Sequence, residues 1–330
     1  MKPESGRVLV TGATGFLGGA VVRRLRDEGI PVLAQGRDPA ACAALAAQGV
    51  PVLRWDISRA LSDRPPELTE VTHIVHGAGL SAPFGPRAAF EAANVTGTRN
   101  VVALARSLGV GRFVQVSSST LYFALRDQLD LREDDPLPRP FNEYARTKRL
   151  SEEIALAARD IGPIALRPRG LYGAGDTVLL PRLLATARAR PLPLLRGGAA
   201  RIDLTHVDDV ADAVLAALRA GPEVEGEVFN ITGGDVIPVT DIAGAVCARA
   251  GVNLRWRPMP VSLGLAAAWS AEKAALLTGG GEPQITRYAL ALFAYAQSLD
   301  ISKADRLLGW RPRIGFEDGL ERTFAGEPTQ

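Results

Sequence analysis

TGATGFLGG (residues 11–19) lies between the apolar run RVLV (7–10) and a stretch in which Leu17, Ala20, Val21 and Leu25 recur at helical spacing as far as Gly29. A strand, a glycine-rich turn and a helix in that order decide the fold. Gly12, Gly15 and Gly18 stand at G-x-x-G-x-x-G spacing. Such a loop turns tightly and lets backbone N–H groups approach a pyrophosphate at a helix N-terminus, an approach that side chains would block. A glycine-rich turn can also do no more than join a strand to a helix. Its place at the head of a chain of alternating strand and helix patterns argues for the dinucleotide reading.

Outward from that loop, PVLA (31–34), PVLRW (51–55), HIVHGA (73–78), RFVQVSS (112–118) and IALRP (164–168) read as further strands. VFNITGG (228–234) reads as a late strand returning to the same sheet. The Ala-rich 40–47 and AAFEAANVTGTRNVVALARSLG (88–109) read as helices. Strands spaced by helices predict an α/β fold, a Rossmann-type doubly wound parallel sheet with right-handed crossovers. Beyond residue 170 the pattern loses regularity and gains Pro and Gly. The organisation expected is a dinucleotide-binding domain over 1–170, with a return segment 202–233, and a smaller C-terminal substrate-binding domain drawn mainly from 171–330.

The chain has 330 residues, of which 47% are hydrophobic and 22% charged, ordinary values for a globular protein with a sizeable core. A net charge of +2, with no basic run, argues against a nucleic-acid partner. Cys42 and Cys247 are far apart, so neither a disulfide framework nor a zinc site is indicated, and no metal is expected. The first strand pattern begins almost at the N-terminus, which leaves no room for a signal peptide. No apolar run reaches the roughly 18 residues of a membrane span. The nearest, VSLGLAAAW (261–269) ahead of Glu272 and Lys273, reads first as a buried or lid helix, with peripheral membrane contact the lesser reading. A cytoplasmic enzyme acting on a small molecule is the expectation.

FNEYARTKRLSEE (141–153) carries Lys148, which with Lys2, Lys273 and Lys303 makes up all the lysine of a chain that otherwise writes arginine. On a helix over 142–158, Tyr144 and Lys148 lie one turn apart on one face. An ammonium beside a phenol favours the phenolate and brings a tyrosine towards a useful acid/base range. An arginine would hold its proton more tightly and present a planar fork instead of a compact charge. The site therefore needs a lysine. VSSSTLY (116–122) ends a predicted strand, where parallel α/β sheets place active sites.

These stretches resemble the extended short-chain dehydrogenase/reductases, the group that includes nucleotide-sugar epimerases and dehydratases and 3β-hydroxysteroid dehydrogenases. Besides TGATGFLG, the resemblance is carried by HGAG (76–79), NVTGTRN (94–100), VSSSTLY, YARTK (144–148), LRPRGLYGAGD (166–176), THVDDVADAV (205–214), FNITGG (229–234) and DISKADRLLGWRP (300–312). It implies hydride transfer at C4 of a nicotinamide. Tyr144 would give or take the hydroxyl proton, Lys148 would also bond the nicotinamide ribose, and Ser118 would orient the substrate oxygen. Ser119 is the alternative if the match slips by one residue, and Ser117 reads as a turn-forming hydroxyl. Asn94 matches an asparagine linked to a proton-relay water and to a kink in its helix, or is a structural helix residue. Gly12, Thr14, Gly15, Phe16, Leu17 and Gly18 would form the cofactor loop, Asp56 would contact adenine, and Ile57 and Ala78 would line the same site. The acid that NAD sites place after the second strand is here Gly36, followed by Arg37, which suits a 2′-phosphate. Asp38 is either a displaced acid or, more simply, the cap of the helix after Pro39. NADP(H) is therefore favoured, with NAD(H) the alternative.

Nucleotide-sugar members commonly carry an asparagine where this chain has Gly170, in Arg167-Pro168-Arg169-Gly170-Leu171-Tyr172-Gly173. The C-terminal EPQITRYALALFAYAQSLDISKADRLLGW is nearer the 3β-hydroxysteroid dehydrogenase branch, which includes bacterial reductases of long-chain β-keto acids. The resemblance thus implies an NADP-dependent alcohol dehydrogenase or ketoreductase for an apolar hydroxy or keto compound. The alternative is an NAD-dependent nucleotide-sugar epimerase or dehydratase. Apolar residues at 289–293 and 261–269 line a lipophilic pocket or belong to the domain core, and Arg169, Arg182 and Arg201 are candidate carboxylate partners; alternatively Gly170 merely suits a turn and Arg201 holds the phosphates of a nucleotide sugar. A homodimer through the helices near 94–108 and 144–160 is also implied. A dinucleotide-binding regulator without activity is a third reading, against which intact Ser118, Tyr144 and Lys148 argue.

Overall fold

The computed structural model describes residues 6–279 and 281–325. Seven strands form one parallel sheet in the spatial order Val228–Ile231, Pro163–Pro168, Arg112–Val116, Val71–His76, Arg7–Thr11, Val32–Gly36, Val52–Arg54. The expected strands are all present, and the late strand Val228–Ile231 returns to pair with Pro163–Pro168. Side chains alternate across the first strand. Val8 and Val10 enter one apolar layer with Val21 and Leu25 of the helix Phe16–Asp27 and Val210 and Val214 of the helix Val207–Arg219. Leu9 enters the opposite layer with Val101 and Ala105 of the helix Gly97–Leu108 and Ala155 of the helix Glu143–Ala157. Both faces of the sheet are covered, as a parallel sheet requires, and each such buried aliphatic side chain contributes about 1.5–3 kcal/mol. The strand order reverses beside Arg7–Thr11, and the crevice at such a switch point is where open α/β sheets bind ligands.

A second sheet has the order Val236–Pro238, Arg201–Asp203, Gln297–Leu299, Gln128–Leu131. Its strands come from four separate stretches of chain, and one of them, Gln128–Leu131, precedes the helix Glu143–Ala157. Three helical expectations change in detail. The stretch 88–109 is broken into Arg87–Phe90, a π-helical Glu91–Thr96 and Gly97–Leu108. The Ala-rich helix spans Pro39–Ala47, with the Asp38 carboxylate accepting from Ala41 N at 2.8 Å. The run 261–269 is part of a longer helix, Val261–Thr278, and that helix is not buried. It packs along the stripe Gly264, Ala268, Glu272, while Leu263, Trp269, Leu276 and Leu277 face outward. Its apolar residues go all the way round, so they could not all find one partner surface. Among the described residues no helix is long and apolar enough to cross a membrane.

Candidate active site

The glycine loop is shaped by what it leaves out. Gly12 has φ +71°, and a Cβ there would stand 2.8 Å from the backbone of Ala78. A Cβ on Gly18 would stand 2.1 Å from Gly12 O. Gly15 is the N-cap of the helix Phe16–Asp27 and offers no capping side chain. The first-turn N–H groups, on Phe16 and Leu17 among others, therefore have no protein partner at the cap and point where a phosphate would bind. The loop is latched from beneath. Gln35 accepts from Gly12 N at 3.0 Å and donates to Trp55 O, while Thr11 Oγ1 accepts from Ala78 N at 3.2 Å. This cradle, filled by any Cβ, fits a dinucleotide pyrophosphate.

Gly36 sits at the end of the second strand. A Cβ on it would meet Thr14 Cγ2 at 2.6 Å and Cys42 Sγ at 2.9 Å, so the usual acid has no room. Asp38 is spent on its helix cap. Beside Gly36, in register on the neighbouring strand, stands Arg54. Arg37, Arg54 and Arg59 line a cavity of about 430 Å³ with Trp55 and Asp56. Sequence reading found Arg37 alone. The register Gly36↔Arg54 was the missing signal, since it is a property of pairing and not of either strand by itself. Asp56 accepts from Ser58 N at 3.0 Å and Ser58 Oγ at 2.8 Å. Those hydrogen bonds, with help from Arg37 and Arg59, hold its carboxyl below the ordinary range. Ile57 is buried and fills the place a Cβ on Gly97 would need.

The catalytic candidates come from two neighbouring elements. The strand Arg112–Val116 ends in the serines, and the helix Glu143–Ala157, capped by Asn142 through Ala145 N at 2.8 Å, carries Tyr144 and Lys148. That helix packs against the turn Ser119–Tyr122. Lys148 is buried and donates from Nζ to Val116 O at 2.5 Å, two residues before Ser118. Burial pushes its ammonium down to about 8, opposed by Glu152. Tyr144 is half-buried. Ser118 Oγ accepts from Thr120 N at 3.2 Å and Thr120 Oγ1 at 2.9 Å. Both lone-pair directions are thus occupied and its own proton is left to donate. The turn-forming hydroxyl is therefore Ser118 and not Ser117, whose buried Oγ has no partner among the described residues. Ser119 is buried on the inner side of the turn.

Asn94 is buried in the π-helical segment. Its Oδ1 accepts from Leu80 N at 2.7 Å, and its Nδ2 donates to Leu80 O at 3.2 Å and to Thr147 Oγ1 at 2.9 Å. It joins the loop after His76 to the helix Glu143–Ala157. Behind it His76 bridges Thr11 Oγ1 at 2.7 Å and Thr98 Oγ1 at 3.0 Å. Burial, with Lys148 adding, pushes its imidazole down to about 3.

On the substrate side the three candidate arginines differ. Arg169 is buried between Asp203 and Gln297, and Arg182 is held by both oxygens of Glu282 at 2.6 and 3.0 Å. Arg169 is thus not free for a substrate carboxylate, whereas the Arg182 pair is open to water. Arg201 is exposed, with one long bond to Val236 O. Gly170 has φ +53°, and a Cβ there would meet Leu204 Cδ2 at 2.6 Å, so a side chain at this position would have to displace Leu204. Leu290, within 289–293, is core, packed with Leu195 and Ala294. Sequence reading missed three rings that meet near the start of the helix Glu143–Ala157. The centroid of Phe123 lies 5.0 Å from Phe141 and 4.9 Å from Tyr288.

A family model described as NAD dependent epimerase/dehydratase family matches residues 8–232. The chain is 31% identical over 336 residues to a 2-alkyl-3-oxoalkanoate reductase of Stenotrophomonas maltophilia, covering 97% of this chain and 98% of that protein. It is 31% identical over 253 residues to a sterol-4-alpha-carboxylate 3-dehydrogenase, decarboxylating, of Saccharomyces cerevisiae, covering 72% of this chain and 71% of that protein. Among solved structures, UDP-glucuronic acid 4-epimerase from Bacillus cereus in complex with NAD shares the fold, with a TM-score of 0.74 at 22% identity over 97% of this chain and 96% of that one. The chain belongs to the NAD dependent epimerase/dehydratase family and is an oxidoreductase of the extended short-chain dehydrogenase/reductase type.

Proposed function

We propose that the enzyme is an NADP(H)-dependent ketoreductase or alcohol dehydrogenase for an apolar hydroxy or keto compound such as a β-keto acid or a sterol. The observation that carries the substrate side is Gly170. Glycine offers no side chain to hold a nucleotide diphosphate there, and Arg169 next to it in the chain is held by Asp203. The named relatives, a ketoacid reductase and a sterol dehydrogenase, point the same way. Arg37, Arg54 and Arg59 around one cavity support the 2′-phosphate of NADP(H), because guanidinium groups suit a phosphate and Gly36 removes the competing acid.

The cofactor supplies a hydride at its nicotinamide when bound. In this reading the protein does the rest. Ser118 donates its free proton to the substrate oxygen and fixes it. Tyr144 delivers the proton that the reduced oxygen needs. Lys148 holds the nicotinamide ribose, and its charge stabilises the phenolate left on Tyr144. Two copies pair through the helices Gly97–Leu108 and Glu143–Ala157, which a sedimentation measurement would test.

Thermal-shift screening with NADP present tests the substrate class. Long-chain β-hydroxy acids or hydroxysteroids should raise the melting temperature, and UDP- or dTDP-sugars should not. Stabilisation by a nucleotide sugar alone would reverse the reading in favour of an NAD-dependent epimerase or dehydratase, epimerase being the activity named for the solved neighbour.

A further inference from the structure

Phe123 immediately follows the turn that Ser118 caps, and Phe141 immediately precedes Asn142, the cap of the helix carrying Tyr144. Each catalytic motif therefore has a ring at its edge. Tyr288 arrives from the far end of the chain, on the helix Arg287–Leu292, and packs on both, 4.9 Å from Phe123 and 6.4 Å from Phe141 between centroids. Its neighbour Arg287 stacks over Phe141 at 5.7 Å. Arg287 is itself fixed by the buried Glu272, which accepts from Arg287 N and Nε at 2.7 Å each. The ring of Tyr288 is thus positioned firmly, yet its hydroxyl has no hydrogen-bond partner among the described residues.

Three rings packed this closely have no need of a hydroxyl for their own stability, and a tyrosine whose ring is packed keeps its polar tip for a hydrogen-bond partner. Although Tyr288 as a residue is half-buried, the surroundings of its hydroxyl are closed enough for burial to push the phenol up to about 12. Arg169 opposes that rise and the phenol of Tyr144 adds to it, which places Tyr288 within electrostatic reach of both. A phenol of that kind keeps its proton throughout the physiological range. It can donate a hydrogen bond but cannot act as a base.

We infer that Tyr288 is a specificity-determining residue whose hydroxyl donates to a second oxygen of the substrate, the carboxylate of a β-keto or β-hydroxy acid, while its ring joins Phe123 and Phe141 in packing the first carbons of the alkyl chain. This rests on the substrate reading proposed above. Tyr144 and Ser118 hold the reacting oxygen, and Tyr288, coming from the C-terminal segment, holds the other end of the short polar head.

The test compares two probes in the oxidative direction with NADP+: a medium-chain 3-hydroxy acid, and the secondary alcohol of matching chain that lacks the carboxyl. Tyr288→Phe keeps the three rings and removes only the donor. It should raise KM for the acid about tenfold, the loss of one hydrogen bond to a charged group. KM for the alcohol, KM for NADP+ and kcat should stay within a factor of about two of wild type. Tyr288→Leu, which also removes the ring, should raise KM for both probes. An unchanged KM for the acid in Tyr288→Phe, or an equal rise for acid and alcohol, overturns the assignment and leaves the substrate reading standing. A wild-type enzyme that oxidises neither probe overturns the substrate reading and this assignment with it.

Discussion

The two sides of the cleft are built from different materials. On the cofactor side the groups offered are mostly backbone: N–H groups opened by Gly12, Gly15 and Gly18, which are contiguous in sequence and held by one strand and one helix. On the proposed substrate side they are side chains from scattered places. Phe123, Phe141 and Tyr288 meet there, and the adjoining sheet draws its strands from residues 128–131, 201–203, 236–238 and 297–299. Backbone recognition tolerates almost no substitution, because any Cβ fills the space. Side-chain recognition can be retuned one residue at a time. That difference explains how one family keeps its cofactor chemistry while its members' named substrates vary.

The largest expected effect lies where the two sides meet. Tyr144→Phe should cut turnover by about 10²–10⁴-fold, the usual contribution of a general acid, with cofactor binding nearly intact. Turnover within a few-fold of wild type on the true substrate would remove Tyr144 from the chemistry. Lys148→Arg should also be severely damaging, since the buried amine donates to Val116 O from a space shaped for a compact ammonium.

Next comes the buried polar layer beneath the cofactor side. His76 titrates near 3 when folded, against about 6.5 when unfolded. Between those values the unfolded chain binds the extra proton, so the stability that neutral His76 contributes is complete above about pH 6.5 and is lost as pH falls towards 3. By pH 5 this one group costs about 2 kcal/mol. His206 is also held low by burial, so acid stability must be read as a difference. Denaturant unfolding of His76→Gln should show a shallower acid loss than wild type; parallel curves would mean that His76 is not the group titrating.

The same contrast governs what the sequence disclosed. The glycine loop, the individual strands and the Tyr144–Lys148 spacing were legible because each depends on residues a few positions apart. Asp38 was legible as a cap for the same reason. Arg54 was not, since its place beside Gly36 follows from strand register. Nor was Tyr288, whose ring partners lie more than a hundred residues away. Arg169 and Arg182 looked like available cations because nothing local reveals Asp203 or Glu282 as their partners. The exposed helix Val261–Thr278 misled in the opposite direction: its apolar composition reads as burial, but only one stripe of it found a partner.

A smaller effect sharpens the cofactor side. Arg37→Ala should weaken NADPH more than NADH, lowering the preference roughly tenfold, the contribution of one charge-assisted hydrogen bond. Arg54→Ala should act in the same direction if both guanidinium groups reach the 2′-phosphate. Fluorescence titration with each cofactor gives the ratio directly. Equal losses for NADPH and NADH would show that the cavity does not read that phosphate.

The smallest effect tests whether an arginine on the substrate side is spent. Arg182 meets Glu282 in a two-pronged pair, but the Arg182 side chain is 48% exposed and that of Glu282 28%. An ion pair as open to water as this contributes only about 0–1 kcal/mol, so Arg182→Ala should lower the melting temperature by a few degrees at most. If Glu282 keeps the guanidinium, KM for an acidic substrate should not move either. The two readouts separate the roles, because a structural pair affects melting alone, whereas an arginine that leaves Glu282 to meet a substrate carboxylate would raise KM several-fold with little change in melting. The second result would shift recognition of the acid from the aromatic wall to the surface arginine, and Glu282→Gln, by releasing Arg182, should then lower KM.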